Sequence, residues 1–139
     1  MPHKTAPSFP QYGGCQCGAL RYQLSRPPLA IWACHCNQCR KQSGGAFGMS
    51  ASVAVETLHF IAGAPAIWPR QTDAGHFTDC LFCARCGTRI AHRRREHGGR
   101  MALKPGTLDD TSWVVPERHV FTDTALDWVT PLIPIEPAP

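Results

Sequence analysis

Seven of the eight cysteines in this chain fall into three tight clusters: Cys15 and Cys17, then Cys34, Cys36 and Cys39, then Cys83 and Cys86. Sulfurs grouped this closely either cross-link or share metal ions, and each choice dictates the backbone around them. Disulfides belong to oxidising compartments. Residues 1–10 show no charged segment followed by an apolar run, so they do not read as a secretory signal, and metal binding is the expectation.

Zinc that only supports a fold takes four protein ligands, whereas zinc that does chemistry keeps three and leaves a position open. Seven cysteines divide as four plus three. Cys83-x-x-Cys86 followed by Gly87 is a compact knuckle, in which the glycine can take the left-handed backbone that side chains resist. Cys15-Gln16-Cys17-Gly18 has the same half-site look, and in an extended segment its two sulfurs would share one face. These two pairs are expected to close one ion together. Cys34-His35-Cys36-Asn37-Gln38-Cys39 offers three sulfurs within six residues and is the candidate reaction centre. The alternative is a second closed site, with Cys80 or a distant histidine as fourth ligand. Left to itself, Cys80 packs like a small hydrophobe. His35, between two ligands, would point away from them.

At 139 residues the chain is one domain by length, and 43% hydrophobic residues make it globular. Its 12 glycines and 13 prolines are scattered, which favours short strands and turns over long helices. Residues 19–24 alternate apolar and polar as a half-buried strand does. Further strands are expected over 29–33, 47–55, 58–61, 76–82, 88–92, 101–103 and 118–121. A single helical turn over 37–42 should end at Ser43-Gly44-Gly45. Residues 63–69, with two prolines, read as broken. The domain is placed at 13–130, after a loose lead-in at 1–12 and before a proline-rich tail at 131–139.

The formal charge of +4 counts every cysteine as neutral. Metal-bound cysteines are thiolates, and with two divalent ions they would cancel most of that excess. Arg93, Arg94 and Arg95, with His92, His97 and Arg100 nearby, form the one charge run. It reads as a solvated loop rather than a nucleic-acid site, because no aromatic platforms interleave with it. No apolar run approaches the roughly 20 residues of a membrane span. A soluble, cytoplasmic protein is the expectation, with a homodimer compatible.

The motifs Gly14-Cys15-Gln16-Cys17-Gly18, Cys34-His35-Cys36-Asn37-Gln38-Cys39-Arg40-Lys41 with Ser43-Gly44, Phe82-Cys83-Ala84-Arg85-Cys86-Gly87-Thr88 and Gly106-Thr107-Leu108-Asp109-Asp110 occur in this order. Pro116, His119 and Trp128 follow. Together they resemble the glutathione-dependent formaldehyde-activating enzyme family, whose domain also occurs in centromere protein V. The resemblance implies a mainly β fold of antiparallel sheets in a β-tent around a structural zinc. It implies that Cys15, Cys17, Cys83 and Cys86 hold that zinc and that Cys34, Cys36 and Cys39 hold a second, catalytic one. It also implies a carbon–sulfur lyase reaction on the adduct of a small-molecule thiol and aldehyde, S-hydroxymethylglutathione in the family's name reaction. Three thiolates make zinc a weak Lewis acid but suit it to activating an incoming thiol. Arg40 and Lys41 are candidates for holding a substrate carboxylate, and His119 for proton transfer. The rival reading is a non-catalytic, zinc-stabilised binding module built on the same domain.

Overall fold

The computed structural model describes residues 7–96 and 98–133. Within them the chain is mainly β, with one helix and four short 3-10 turns. The first sheet has three antiparallel strands in the order β1 (Gln11–Gly14), β2 (Arg21–Leu24) and β5 (Leu58–Ala62). The second has seven. Its order is β10 (Arg118–Val120), β3 (Ala30–Cys34), β4 (Gly48–Ala54), β9 (Arg100–Leu103), β8 (Arg89–Arg94), β7 (Phe77–Phe82) and β6 (Ala66–Gln71). Every pairing is antiparallel except that of β10 with β3, which is parallel.

Alternation explains which faces meet. In β2, Tyr22 and Leu24 are fully buried while Arg21 and Gln23 are half-buried, and β3 buries Ile31 and Ala33 in the same rhythm. Val53, Ile90, Leu103 and Leu108 join Tyr22, Leu24 and Ile31 in one core drawn from both sheets. Central β4 is buried along almost its whole length, consistent with its small residues Gly48, Ser50, Ala51 and Ser52.

Several boundaries differ from the sequence reading. β1 begins at Gln11, so two residues of the expected lead-in are strand, locked by the pairing of Gln11 with Leu24 and Tyr12 with Gln23. Residues 66–71 form β6 despite Pro69, because an edge strand needs ladder bonds on one side only. Arg93 and Arg94 finish β8 rather than lying in a loop, and Arg95 forms an ion pair with Asp79 at 2.9 Å. Residues 1–6 of the lead-in, His97 and residues 134–139 of the proline-rich tail lie outside the described part. No helix among the described residues is long and apolar enough to cross a membrane.

Candidate metal centres and the cavity beside them

All eight cysteines are free. Cys15 and Cys17 lie in the turn between β1 and β2, and Cys83 and Cys86 in the turn between β7 and β8. The two turns are built alike. Gly18 and Gly87 both stand at φ 83, in the left-handed region, and their N–H groups donate to the carbonyls of Cys15 at 3.1 Å and Cys83 at 2.8 Å. The first pair therefore converges through a turn, not through the extended segment expected from its spacing. The four sulfurs lie within 4.8 Å of one another, with Cys15 to Cys17 at 3.6 Å and Cys17 to Cys83 at 3.8 Å. That is far beyond a disulfide bond of about 2.05 Å and suits ligands around one ion.

The middle cluster forms where β3 hands over to the helix. Cys34 ends β3, Cys36 caps the helix α1 (Asn37–Ser43), and Cys39 sits inside it. The Cys36 sulfur accepts the Cys39 N–H at 3.3 Å, taking the place that serine or aspartate holds in an ordinary cap. Gly44, at φ 63, closes the other end through its N–H to the Arg40 carbonyl at 2.9 Å. These three sulfurs also lie within 4.8 Å of one another, and among the described residues no fourth His, Cys, Asp or Glu joins them. Gly48 packs against the cluster. A Cβ there would stand 3.1 Å from that of Cys39.

The donor chemistry fits a divalent cation at both places. Backbone N–H groups reach the sulfurs of Cys15 (from Leu20, 3.2 Å), Cys36 and Cys83 (from Cys86, 3.4 Å), an arrangement that favours thiolate. Burial, and then the neighbouring Cys34 and Cys36 sulfurs, push the Cys39 thiol up to about 12. The Thr88 hydroxyl and backbone N–H hold Cys86 down to about 5, while Cys17 is driven up to about 11. Crowded thiols cannot all ionise by themselves, and a bound cation removes that conflict.

Beside the three-cysteine cluster is a cavity of about 320 Å³, lined by Cys34, Cys36 and Cys39 together with Trp32, Ser50, Arg70, His92 and Phe121, among others. Arg70 Nε and His92 Nδ1 are buried without a hydrogen-bond partner among the described residues. Burial, reinforced by Lys104, Arg70 and Arg89, holds His92 down to about 3, so its ring is neutral. Sequence reasoning missed Trp32, Arg70 and His92, which lie on β3, β6 and β8 and come to one cavity only through the pairing of the sheet.

The other candidates lie elsewhere. Arg40 turns back to the Asn37 side chain, Lys41 is exposed, and neither lines the cavity. His119 does not line it either. Its Nδ1 meets His35 Nε2 at 2.9 Å, and the two rings stack beside Phe47. His35 is fully buried and turned away from the sulfurs' common centre toward His119, with its carbonyl accepting the Thr124 hydroxyl at 2.9 Å. Cys80 is buried in β7, apart from both clusters.

Comparison with known proteins agrees with this geometry. A solved structure described as a Rhodobacter sphaeroides protein superposes with a TM-score of 0.58 at 22% identity, covering 76% of this chain and 91% of that one. Among curated proteins none matches. The profile of the glutathione-dependent formaldehyde-activating enzymes matches residues 10–124, a span that contains both cysteine sites and the cavity, and the chain belongs to that family.

Proposed function

We propose that the protein is a carbon–sulfur lyase-type enzyme that makes or breaks the adduct of a small thiol and a small aldehyde, of the S-hydroxymethylglutathione kind. The reading rests on one observation: three converging sulfurs, without a fourth ligand among the described residues, beside a cavity large enough for a small substrate. Cys15, Cys17, Cys83 and Cys86 would hold a structural zinc, and Cys34, Cys36 and Cys39 a catalytic one. When bound there, zinc lowers the proton affinity of an incoming thiol, because coordination stabilises the thiolate.

The chain's own groups would do the rest. Formation of the carbon–sulfur bond moves the carbonyl electron pair onto oxygen, and a donor must meet that charge. Arg70 and His92 line the same cavity, and Arg70 Nε and His92 Nδ1 have no hydrogen-bond partner among the described residues, so these two side chains are suited to receive it. Trp32, half-buried, restricts water at one wall. His119 acts as a positioning residue, holding His35 and through it the backbone between Cys34 and Cys36. Arg40 and Lys41, in the last turn of α1, offset the charge of the thiolates from outside.

The test is an asymmetry between the two sites. Cys36→Ser should leave a folded protein with its melting temperature within a few degrees of wild type, and turnover of thiol–aldehyde adducts should be lost. Cys83→Ser should unfold the chain, because structural zinc contributes on the order of 10 kcal/mol, as much as a whole domain's net stability. Equal thermal damage from both substitutions would remove the separate catalytic site. A folded, zinc-loaded protein that turns over no thiol–aldehyde pair would return the domain to a binding role.

A further inference from the structure

A second cleft, of about 450 Å³, opens between the end of α1, the residues following Cys86 and the 3-10 turn Pro105–Thr107. It shares no lining residue with the three-cysteine cavity. Gln42, Arg89 and Lys104 form its walls, and no acidic residue lines it. Nothing in the reaction proposed above uses these three side chains.

Two of its lining side chains carry three of the eight buried polar atoms that lack a partner among the described residues: Gln42 Nε2, Gln42 Oε1 and Arg89 Nη1. Such atoms are costly to leave unsatisfied, and their occurrence on side chains that line one cleft free of acidic residues points to a polar occupant. Arg89 is already oriented, its guanidinium lying 5.8 Å from the centre of the Trp68 ring. Lys104 makes no ion pair within the described chain. Burial lowers its affinity for a proton, an effect that a bound anion would reverse. The Ser43 hydroxyl in the same wall is committed to the Arg40 and Phe47 carbonyls. At Gly106 a Cβ would meet nothing within 4 Å, so the backbone is open to close approach.

We propose that this cleft is a separate binding site for the oxyanion group, phosphate or carboxylate, of a small molecule, held by Arg89, Lys104 and the Gln42 amide. The Arg89 fork and the Lys104 ammonium supply charge-assisted donors. Gln42 Nε2 adds a neutral donor, and Oε1 accepts from a hydroxyl beside the anion.

The experiment titrates the zinc-loaded full chain with inorganic phosphate and, separately, with acetate, and follows amide and indole NMR signals. At least one anion should produce saturable shifts of the Gln42 side-chain amide and the Gly106 backbone amide, and the effective one identifies the class. The Trp32 indole, in the other cavity, should stay in place. Lys104→Met and Gln42→Leu should each weaken binding about tenfold. Arg26→Leu, which removes an exposed positive charge elsewhere, should leave it unchanged. Absence of saturation with both anions overturns the proposal. So does an equal loss in Arg26→Leu, which would mark unspecific attraction, or a parallel shift of Trp32, which would merge the cleft with the cysteine site. The wild-type titration stands even if a variant fails to fold.

Discussion

Single residues carry constraints that composition does not reveal. Gly63 stands at φ +73, and a Cβ there would lie 2.4 Å from the Ala19 carbonyl oxygen and 2.8 Å from the Leu20 side chain. Gly63→Ala should therefore cost about 2–4 kcal/mol, the combined effect of backbone strain and overpacking, read as a lowered urea midpoint with unchanged slope. His92 gives a pH signature. Its ordinary value of 6.5 falls to about 3 in the fold, so between these values the unfolded chain binds a proton that the folded chain does not. Stability from this residue is complete above about 6.5 and is lost as pH falls toward about 3, with a slope approaching 1.4 kcal/mol per pH unit. Wild type should lose more stability than His92→Gln between pH 7 and pH 5.5 in denaturant titrations. Acid weakening of thiolate–metal binding is common to both proteins, so the difference isolates the ring.

Among the elements, β6 shows how a proline can serve a strand. It pairs only with β7, leaving its other edge open, and it exposes Ile67 and Trp68 at 58% and 50%. Pro69 lies opposite Asp79 in that ladder and has no N–H to donate, which an edge strand tolerates. An open apolar edge is a template for pairing with another chain, and Pro69 blunts it. Pro69→Val should leave the monomer's circular dichroism unchanged and raise self-association, seen as a concentration-dependent increase in light scattering. Helix α1 makes the complementary case. It is only seven residues long, too short to persist alone, and it is fixed at one end by a cysteine cap and at the other by Gly44.

At the scale of the whole molecule, the four-cysteine site joins two distant parts of the chain: the turn after β1 in the small sheet and the turn before β8 in the large one. An ion held there clamps the two sheets around their common core. Removal of metal with a strong chelator should abolish the cooperative thermal transition and near-ultraviolet circular dichroism, and added zinc should restore both. A chelated protein that kept its transition would show that packing of Tyr22, Leu24, Ile90 and Leu103 suffices without the clamp.

The sequence by itself determined both cysteine groups, the left-handed glycine after Cys86, the alternating strand β2 and the apolar run of β3, because these depend on neighbours within a few residues. It did not reveal β1, β6 as a strand, or Arg70 and His92 at the cavity. A strand as short as β1 has too few residues for a period to register, and it forms only because β2 offers it a ladder. Arg70 and His92 come from separate strands, β6 and β8, with β7 between them, and they line one cavity with Cys34, Cys36 and Cys39 only once the seven strands are in register. Ligand identity is local chemistry, while the surroundings that give an open site its substrate are set by contacts between residues far apart in the chain.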